Sequence, residues 1–187
     1  LPTHTRAYSI VSVKDNVMTL LVDIKPQGKA SIYFENVKVG DSTNFLGPYG
    51  IYRAKDTLLP KVFISTGTGI APFVSMINDL QKSKPQVPIY NFFGVKVMEH
   101  DIALSFFKDN LNPNLRFVNC VSRQDVAGLS SIEHQDIKSG RVTTVIPTYN
   151  LDWNNTEFYI CGGPEMVNEM SDVLKQLGAD KIFVEKY

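Results

Sequence analysis

The chain of 187 residues has few of the residue types that bind metals or form cross-links. Its only two cysteines, Cys120 and Cys161, are far apart and not in CxxC spacing. This excludes a disulfide framework, and also a four-cysteine iron–sulfur or zinc site within the chain. The three histidines, His4, His100 and His134, have no carboxylate or thiol at ligand spacing. We therefore expect no metal site.

The sequence also lacks an excess of either charge and a long apolar run. Nineteen basic residues balance nineteen acidic ones, so the net charge gives no reason to expect nucleic acid as a partner. No stretch approaches the roughly 20 apolar residues of a membrane span. With 43% hydrophobic residues the chain can fill the core of one large domain or two small ones. We expect a cytoplasmic protein without a membrane span.

The patterning changes near residue 54. Before it, β-like runs are separated by the turn signals KDN, KPQGK and KVGD; these runs are RAYSIVSV, VMTLLVDI, SIYFENV and STNFL. They predict a small antiparallel sheet or barrel. After it, short apolar runs alternate with helical stretches; the runs are KVFIST, VPIYNFFGV, LRFVNCVS, EFYICG and KIFVEKY. We expect two domains, residues 1–54 and 55–187.

The second domain reads as an α/β fold. Helical spacing is clearest in PFVSMINDLQKS and in PEMVNEMSDVLKQLG, where Gly178 suits the position just after a helix. Strands alternating with helices predict a doubly wound parallel sheet of five or six strands with right-handed crossovers. Such a sheet binds its ligand beyond the carboxyl ends of its strands.

The stretch STGTGIAP lies where the first strand of this sheet ends. Gly67 and Gly69 let the backbone approach a pyrophosphate closely, and the free N–H groups of the helix start favour an anion. Thr66 and Thr68 add hydroxyl donors, and Pro72 suits the first helical turn. The alternative is a tight turn without a ligand, since a lone GxG is a weak signal.

A second glycine-rich strand exit follows at CGGP. Cys161 is expected at the mouth of the sheet, with space opened beside it by Gly162 and Gly163. A free cysteine is often a small core residue, which is the competing interpretation. The two glycine-rich exits favour a ligand-facing role.

Two motifs of the first domain also suit a phosphorylated ligand. In RAYS, strand alternation predicts Arg6 and Tyr8 on one face and Ser9 on the other. A guanidinium holds phosphate bidentately, and a phenol ring offers a flat surface to a heterocycle. GKAS, residues 28–31, opens a short helix-like segment, a second candidate phosphate cradle. If RAYS stood alone, a surface arginine beside a β-sheet tyrosine would be the preferred interpretation, and GKAS alone is also a weak signal.

In this order and spacing, the motifs resemble the ferredoxin–NADP reductase superfamily, whose members pair a flavin-binding β-barrel with a nicotinamide-nucleotide domain. The similarity covers essentially the whole chain and points to the bacterial oxygenase-reductase and cytochrome b5 reductase-like branches. It rests on RAYS, GKAS, GPYG, GTGIAP, CGGPEM and the closing EKY.

For the flavin, the resemblance implies FAD as the cofactor. Arg6 would hold its pyrophosphate, Tyr8 would pack on the isoalloxazine, and Ser9 would hydrogen-bond near N5. The flavin phosphate site would be completed by Gly28, Lys29, Ala30 and Ser31.

For the nucleotide, the resemblance implies that Thr68 and the GTG backbone meet the dinucleotide. Cys161 and Gly162 would flank the nicotinamide, with Gly163 and Met166 of CGGPEM in the same site. Glu185 resembles the acidic residue that the family places beside Ser9, so Ser9, Cys161 and Glu185 are the expected catalytic residues. Tyr187 resembles the terminal aromatic that covers the flavin in plant-type members.

The implied activity is hydride transfer from NAD(P)H to flavin, followed by electron transfer to an acceptor. The acceptor is a separate protein or domain, with an iron–sulfur or haem centre as the expected kind, or a small molecule. Ser122 and Arg123, assisted by Lys96, are placed to bind the 2′-phosphate of NADPH. Asp125 lies close by, and an acidic residue would favour NADH. Both nucleotides stay open, with NADPH slightly favoured.

One departure from the family pattern shapes the alternatives. Family barrels carry several strands before RxYS, whereas almost nothing precedes Arg6 here. The chain is then a piece of a longer protein, or another chain supplies the strands, or the flavin has been lost. The last case would make it a non-catalytic nucleotide-binding or assembly module. A third function is an α/β domain that binds another phosphorylated ligand.

Overall fold

The computed structural model describes residues 5–187, so His4 lies outside the described residues. The first half contains the strands β1 (Ile10–Lys14) and β2 (Val17–Leu20) and the helix α1 (Lys29–Asn36). The second half contains the strands β3 (Lys61–Thr66), β4 (Ile89–Val95), β5 (Leu115–Val121), β6 (Gln135–Ser139), β7 (Glu157–Gly162) and β8 (Ile182–Lys186). Its α-helices are α2 (Ala71–Ser83), α3 (Leu104–Phe107), α4 (Val142–Val145) and α5 (Pro164–Gln176). Three short 3-10 helices span Gly67–Ile70, Met98–His100 and Ile146–Thr148.

The second half is built on one six-stranded parallel sheet in the order β6-β5-β4-β3-β7-β8. This confirms the predicted doubly wound α/β fold and fixes six strands. The chain moves outward from β3 to β6 and then returns to place β7 on the other side of β3. The strand order therefore reverses between β3 and β7, which is where such a sheet opens a crevice at its carboxyl edge.

Helices cover both faces of the sheet. On one face α2 packs against it, with Phe73 in the same core cluster as Phe63 and Tyr159. On the other face α5 packs, with Met170 in a cluster with Ile64 and Ile160. Burial on both faces explains why these strands read as continuous apolar runs in the sequence.

Helix boundaries follow the predicted signals. Pro72 lies in the first turn of α2, where its missing N–H has no partner to lose. Gly178 has a φ of +92° just after α5, and its N–H donates to the carbonyl of Lys175. Helices commonly end at such a left-handed residue, and glycine adopts this conformation without the steric cost of a Cβ.

The first half of the chain forms an open structure. β1 and β2 make an antiparallel hairpin, turned by Asp15 and Asn16, which both have positive φ. Val11 of β1 is buried in the core cluster that contains α2, so the hairpin is joined to the second half. Within residues 5–187 this half forms no closed barrel, which agrees with the expected incomplete one.

Three local predictions for the first half are wrong. SIYFENV was predicted as a strand, but most of it lies in α1, with Ser31 buried and Phe34 half-buried three positions later. Its β-branched and aromatic residues favour a strand only weakly, and the surrounding structure overrides that preference. STNFL forms neither a strand nor a helix. Arg6 to Ser9 precede β1, so the predicted alternation of their side chains does not apply.

Within residues 5–187, no helix combines the length and the apolar character needed to cross a membrane.

Candidate functional site

Three side chains form a row at the carboxyl edge of the sheet. Ser65, Cys161 and Glu185 occupy paired positions on β3, β7 and β8, so they point to the same face. The Cys161 thiol Sγ lies 3.8 Å from Glu185 Oε2 and donates to it. Two of the three residues predicted to be catalytic are therefore in contact.

The environment of Cys161 keeps its thiol protonated. The side chain is 2% exposed. Burial, the charge of Glu185 and the hydrogen bond to Glu185 together raise the pKa of Cys161 to about 12. A thiol that stays neutral at physiological pH is a hydrogen-bond donor and a packing surface, not a nucleophile. The pair suits the positioning of a planar ring better than covalent chemistry.

The two glycine-rich turns pack tightly against each other. A Cβ on Gly69 would stand 2.3 Å from the carbonyl oxygen of Cys161, so only glycine fits there. A Cβ on Gly162 would stand 2.9 Å from Thr66 Oγ1 and 2.5 Å from the methyl group of Met166. Both turns thus meet at the crevice between β3 and β7, as the sequence predicts.

Both helices that start at this crevice begin without a side-chain cap. Thr66 precedes the 3-10 helix Gly67–Ile70, and Gly163 precedes α5; neither start has a capping side-chain hydrogen bond. Beside Gly163, no other atom lies within 4 Å of the position that a Cβ would take. Free N–H groups, a helix dipole and open space fit the phosphates of a dinucleotide.

Tyr187 joins the two turns at the mouth of the crevice. Its hydroxyl donates to the carbonyl of Thr66 at 2.9 Å, and its N–H donates to the carbonyl of Gly162 at 3.4 Å. The side chain is 56% exposed. The ring is therefore placed at the entrance, and its role over a flavin stays a prediction.

The residues predicted to choose between NADPH and NADH lie further along the same edge. Lys96 follows β4 and Arg123 follows β5; both are exposed, and the Arg123 N–H donates to the Lys96 carbonyl at 2.9 Å. The Ser122 hydroxyl donates to the Val95 carbonyl at 3.2 Å. Asp125 is also exposed, but its Oδ1 accepts the Ala127 N–H at 2.9 Å and so stabilises a turn. This arrangement leaves the basic side chains facing solvent.

The predicted flavin residues contact other parts of the first half. Arg6 is exposed and donates to the carbonyl of Thr5, while Tyr8 packs edge-on against Phe34 with ring centres 5.5 Å apart. Ser9, half-buried, directly precedes β1. These contacts do not extend to the row formed by Ser65, Cys161 and Glu185.

The GKAS motif forms the start of α1. Gly28 precedes the helix without a side-chain cap, and Lys29 and Ala30 begin the first turn. A Cβ on Gly28 would stand 2.8 Å from Ser31 Oγ, which accepts the Lys25 N–H at 2.9 Å. The Ser31 hydroxyl keeps its own proton to donate. An uncapped helix start with a hydroxyl donor fits a phosphate.

Two residues at the site were missed by the sequence analysis. Ser65 is fully buried, and within residues 5–187 its Oγ has no hydrogen-bond partner. Tyr52 reaches the sheet beneath Cys161 through a hydrogen bond to the carbonyl of Ile160. Strand alternation gives the face of Ser65, but no sequence signal gives the neighbours of either residue.

Two families of oxidoreductase domains match the chain. Residues 63–172 match the oxidoreductase NAD-binding domain. Residues 2–53 match the oxidoreductase FAD-binding domain. The first of these matches alone covers more than half of the chain.

Two relatives and one solved structure each match nearly all of this chain and little more than half of their own length. The toluate 1,2-dioxygenase electron transfer component of Pseudomonas putida is 29% identical over 192 residues, which cover 98% of this chain and 54% of that protein. NADH-cytochrome b5 reductase 1 of Mortierella alpina is 27% identical over 184 residues, 95% of this chain and 60% of that protein. The crystal structure of an Amycolatopsis cytochrome P450 reductase has a TM-score of 0.78 at 24% identity, over 96% of this chain and 55% of that one.

The chain thus spans little more than half the length of the relatives that it matches. The two domain matches follow one another in the order that the motifs predict, and the fold agrees with the solved structure. The chain belongs to the ferredoxin–NADP reductase superfamily, with an FAD-binding domain followed by an NAD-binding domain.

Proposed function

We propose that this chain is the flavin- and nucleotide-binding part of an NAD(P)H-dependent reductase. It takes a hydride from NAD(P)H and passes electrons to a separate acceptor. The observation that carries the proposal is the Cys161–Glu185 pair, held in the same crevice as two uncapped, glycine-rich helix starts. Residues 1–54 form the flavin-binding domain and residues 55–187 the nucleotide-binding domain.

The nucleotide is held by the crevice between β3 and β7. The N–H groups of residues 67–69 and the start of α5 bind its pyrophosphate, and the Thr68 hydroxyl adds a donor. Cys161 and Gly162 flank the nicotinamide and exclude water from it. Because the Cys161 thiol stays protonated, it holds the ring without reacting with it.

FAD is held by the first domain. Arg6 binds its pyrophosphate, Tyr8 packs on the ring system, and residues 28–31 bind phosphate at the start of α1. Ser9 and Glu185 lie near the reacting atoms. The bound flavin supplies the hydride-accepting chemistry, so the protein needs no general base.

The acceptor is a separate protein or domain with an iron–sulfur or haem centre. The two cysteines of this chain cannot hold a four-cysteine iron–sulfur cluster. The electrons therefore pass to a centre outside these 187 residues. Relatives named as an electron transfer component of a dioxygenase and as a cytochrome b5 reductase support this class of partner.

The test is the visible absorption spectrum of the purified protein with FAD, recorded anaerobically before and after NADPH and then NADH. We expect a flavin band near about 450 nm that bleaches with at least one nucleotide. A protein that takes up FAD but does not bleach with either nucleotide contradicts the proposal, as does one that takes up no FAD.

A non-catalytic nucleotide-binding module is the second candidate. It is favoured by the apolar side chains of residues 37–51, of which Val39, Leu46, Tyr49 and Ile51 are the most exposed. Their exposure suits assembly with another domain. This candidate predicts NADPH or NADH binding by calorimetry in a protein that stays colourless after incubation with FAD.

A further inference from the structure

Tyr52 connects the end of the first domain to the last two strands of the sheet, β7 and β8. It follows the GPYG motif by two residues, and its hydroxyl lies 3.0 Å from the carbonyl oxygen of Ile160 and 3.3 Å from that of Phe183. A phenol has one proton, so this single donor is shared between β7 and β8.

The two carbonyls that Tyr52 contacts lie directly beneath the candidate reaction site. Ile160 precedes Cys161 on β7, and Phe183 precedes Glu185 by two positions on β8. Burial and the nearby Cys161 and Glu185 raise the pKa of Tyr52 well above its ordinary value, so the hydroxyl stays a donor.

The ring and the residues that follow it are held firmly. The ring packs against Phe73 and Tyr159, with ring centres 6.1 and 6.4 Å away. Further along, the Lys55 N–H donates to the Tyr159 hydroxyl at 2.8 Å, and the Thr57 hydroxyl donates to Glu157 at 2.8 Å. Residues 52–57 are thus held against β7 by hydrogen bonds, whereas residues 41–50 before them are exposed.

We infer that Tyr52 is a positioning residue for hydride transfer, whose hydroxyl holds the backbone of β7 and β8 that carries the Cys161–Glu185 pair. This inference rests on the proposed function. Hydride transfer depends steeply on the separation of the reacting atoms, and a misplacement of about 1 Å has a large cost in rate. The hydrogen bonds of the Tyr52 hydroxyl join the end of the first domain to β7, which carries Cys161, and to β8, which carries Glu185.

The variant Tyr52→Phe tests the inference because it keeps the ring and removes only the hydroxyl. In the flavin-loaded protein we expect stopped-flow flavin reduction to slow roughly tenfold, while the nucleotide Kd changes less than about twofold. If Tyr52 had only a structural role, the variant would lower thermal stability, and the flavin reduction rate and the nucleotide affinity would change together.

Tyr149→Phe is the matched control. It also removes one hydroxyl that makes a hydrogen bond, here to Asp136 at 2.8 Å, but at the β6 edge on the opposite face. We expect its flavin reduction rate to equal that of the unaltered protein. Equal rates in Tyr52→Phe and Tyr149→Phe would overturn the inference.

A second measurement needs no flavin. Hydrogen exchange of the amides of residues 160–163, and alkylation of Cys161, should both become roughly fivefold faster in apo Tyr52→Phe, because the bond that restrains this backbone is lost. Cys120, fully buried on the other face, serves as the internal control. Unchanged exchange and alkylation would overturn the inference whether or not flavin binds. Failure of every variant, and of the unaltered protein, to take up FAD would contradict the proposed function alone.

Discussion

Cys161 and Glu185 face each other across neighbouring parallel strands, with the thiol sulfur 3.8 Å from a carboxylate oxygen. The thiol donates and the carboxylate accepts, and the carboxylate thereby helps to keep the Cys161 thiol protonated. The pKa of Cys161 therefore depends on Glu185, and this can be measured.

The pH dependence of Cys161 alkylation should report this pair. Its pKa is raised from 9.0 to about 12, so labelling with iodoacetamide should stay slow near pH 9 and rise towards pH 12. Glu185→Gln removes a negative charge and should shift the profile to lower pH. Peptide mass spectrometry separates the two cysteines.

Cys120 is the control within the same molecule. Its pKa is also raised to about 12, but burial alone is the cause, so Glu185→Gln should leave its profile unchanged. A shift of both profiles together would show loosening of the fold instead of a local charge effect.

The raised pKa of Cys161 also makes stability depend on pH. Because the folded protein binds the Cys161 proton more tightly than the unfolded chain, this contribution to the free energy of unfolding is complete below about pH 9 and is lost towards pH 12.

A buried ion pair lies at the amino-terminal ends of β3 and β7, at the other end of these strands from Cys161. Lys61 and Glu157 lie 2.9 Å apart, almost fully buried, and Glu157 also accepts from Thr57 and Tyr159. Lys61→Met should reduce the free energy of unfolding by about 3–5 kcal/mol, because it leaves a buried charge without its partner. Urea unfolding measures this loss.

Lys84→Met is the matched control for Lys61→Met. Lys84 pairs with the exposed Asp56, so its loss should cost much less. Burial alone would raise the pKa of Glu157, but hydrogen bonds from Tyr159, Lys61 and Thr57 lower it overall. The stability from this carboxylate is therefore present above the ordinary carboxyl pKa and is lost as the pH falls below it. Equal losses for the two lysine variants would contradict the assigned roles.

Two glycine substitutions should have different consequences. Gly69→Ala places a Cβ 2.3 Å from a backbone oxygen of β7, so it should lower the free energy of unfolding by about 3 kcal/mol. Gly163→Ala meets no atom within 4 Å and has ordinary backbone angles, so the fold should keep its stability. Its NAD(P)H affinity should still fall about tenfold if phosphate approaches this helix start. Unchanged affinity in Gly163→Ala would place the nucleotide elsewhere.

Arg123 should determine the preference for NADPH. Its exposed side chain follows β5 beside Lys96, and a guanidinium can bind a 2′-phosphate. Arg123→Ala should raise the KM for NADPH about tenfold and leave the KM for NADH nearly unchanged. Lys82→Ala removes an exposed cation from the last turn of α2, far from this edge, and serves as the control. Equal effects of Arg123→Ala on both nucleotides would remove it from the specificity site.

The second domain was predictable to a large extent, because its strands are buried on both faces. KVFIST and EFYICG are continuous apolar runs for that reason, and each ends in glycine-rich sequence where the chain must turn into a helix. β6 was missed. It is an edge strand, and its sequence QDIKS is mostly polar because less of it faces the core.

The first domain was less predictable. Residues 29–36 contain Ile32, Tyr33 and Phe34, which favour a strand in isolation, yet they form α1. Most of its apolar side chains are exposed, so there is no continuous buried face from which the period could be identified. Patterning is informative only where packing imposes it.

The sequence by itself determined where five of the six strands of the parallel sheet lie, which turns must be glycine-rich, and which family the motifs resemble. Only the tertiary structure decided that Cys161 contacts Glu185, and that Tyr52 reaches the carbonyl of Ile160. These pairs are 24 and 108 residues apart in the chain. Their contact depends on strand order and register, which arise from packing of the whole sheet and leave no mark in the local pattern of either segment.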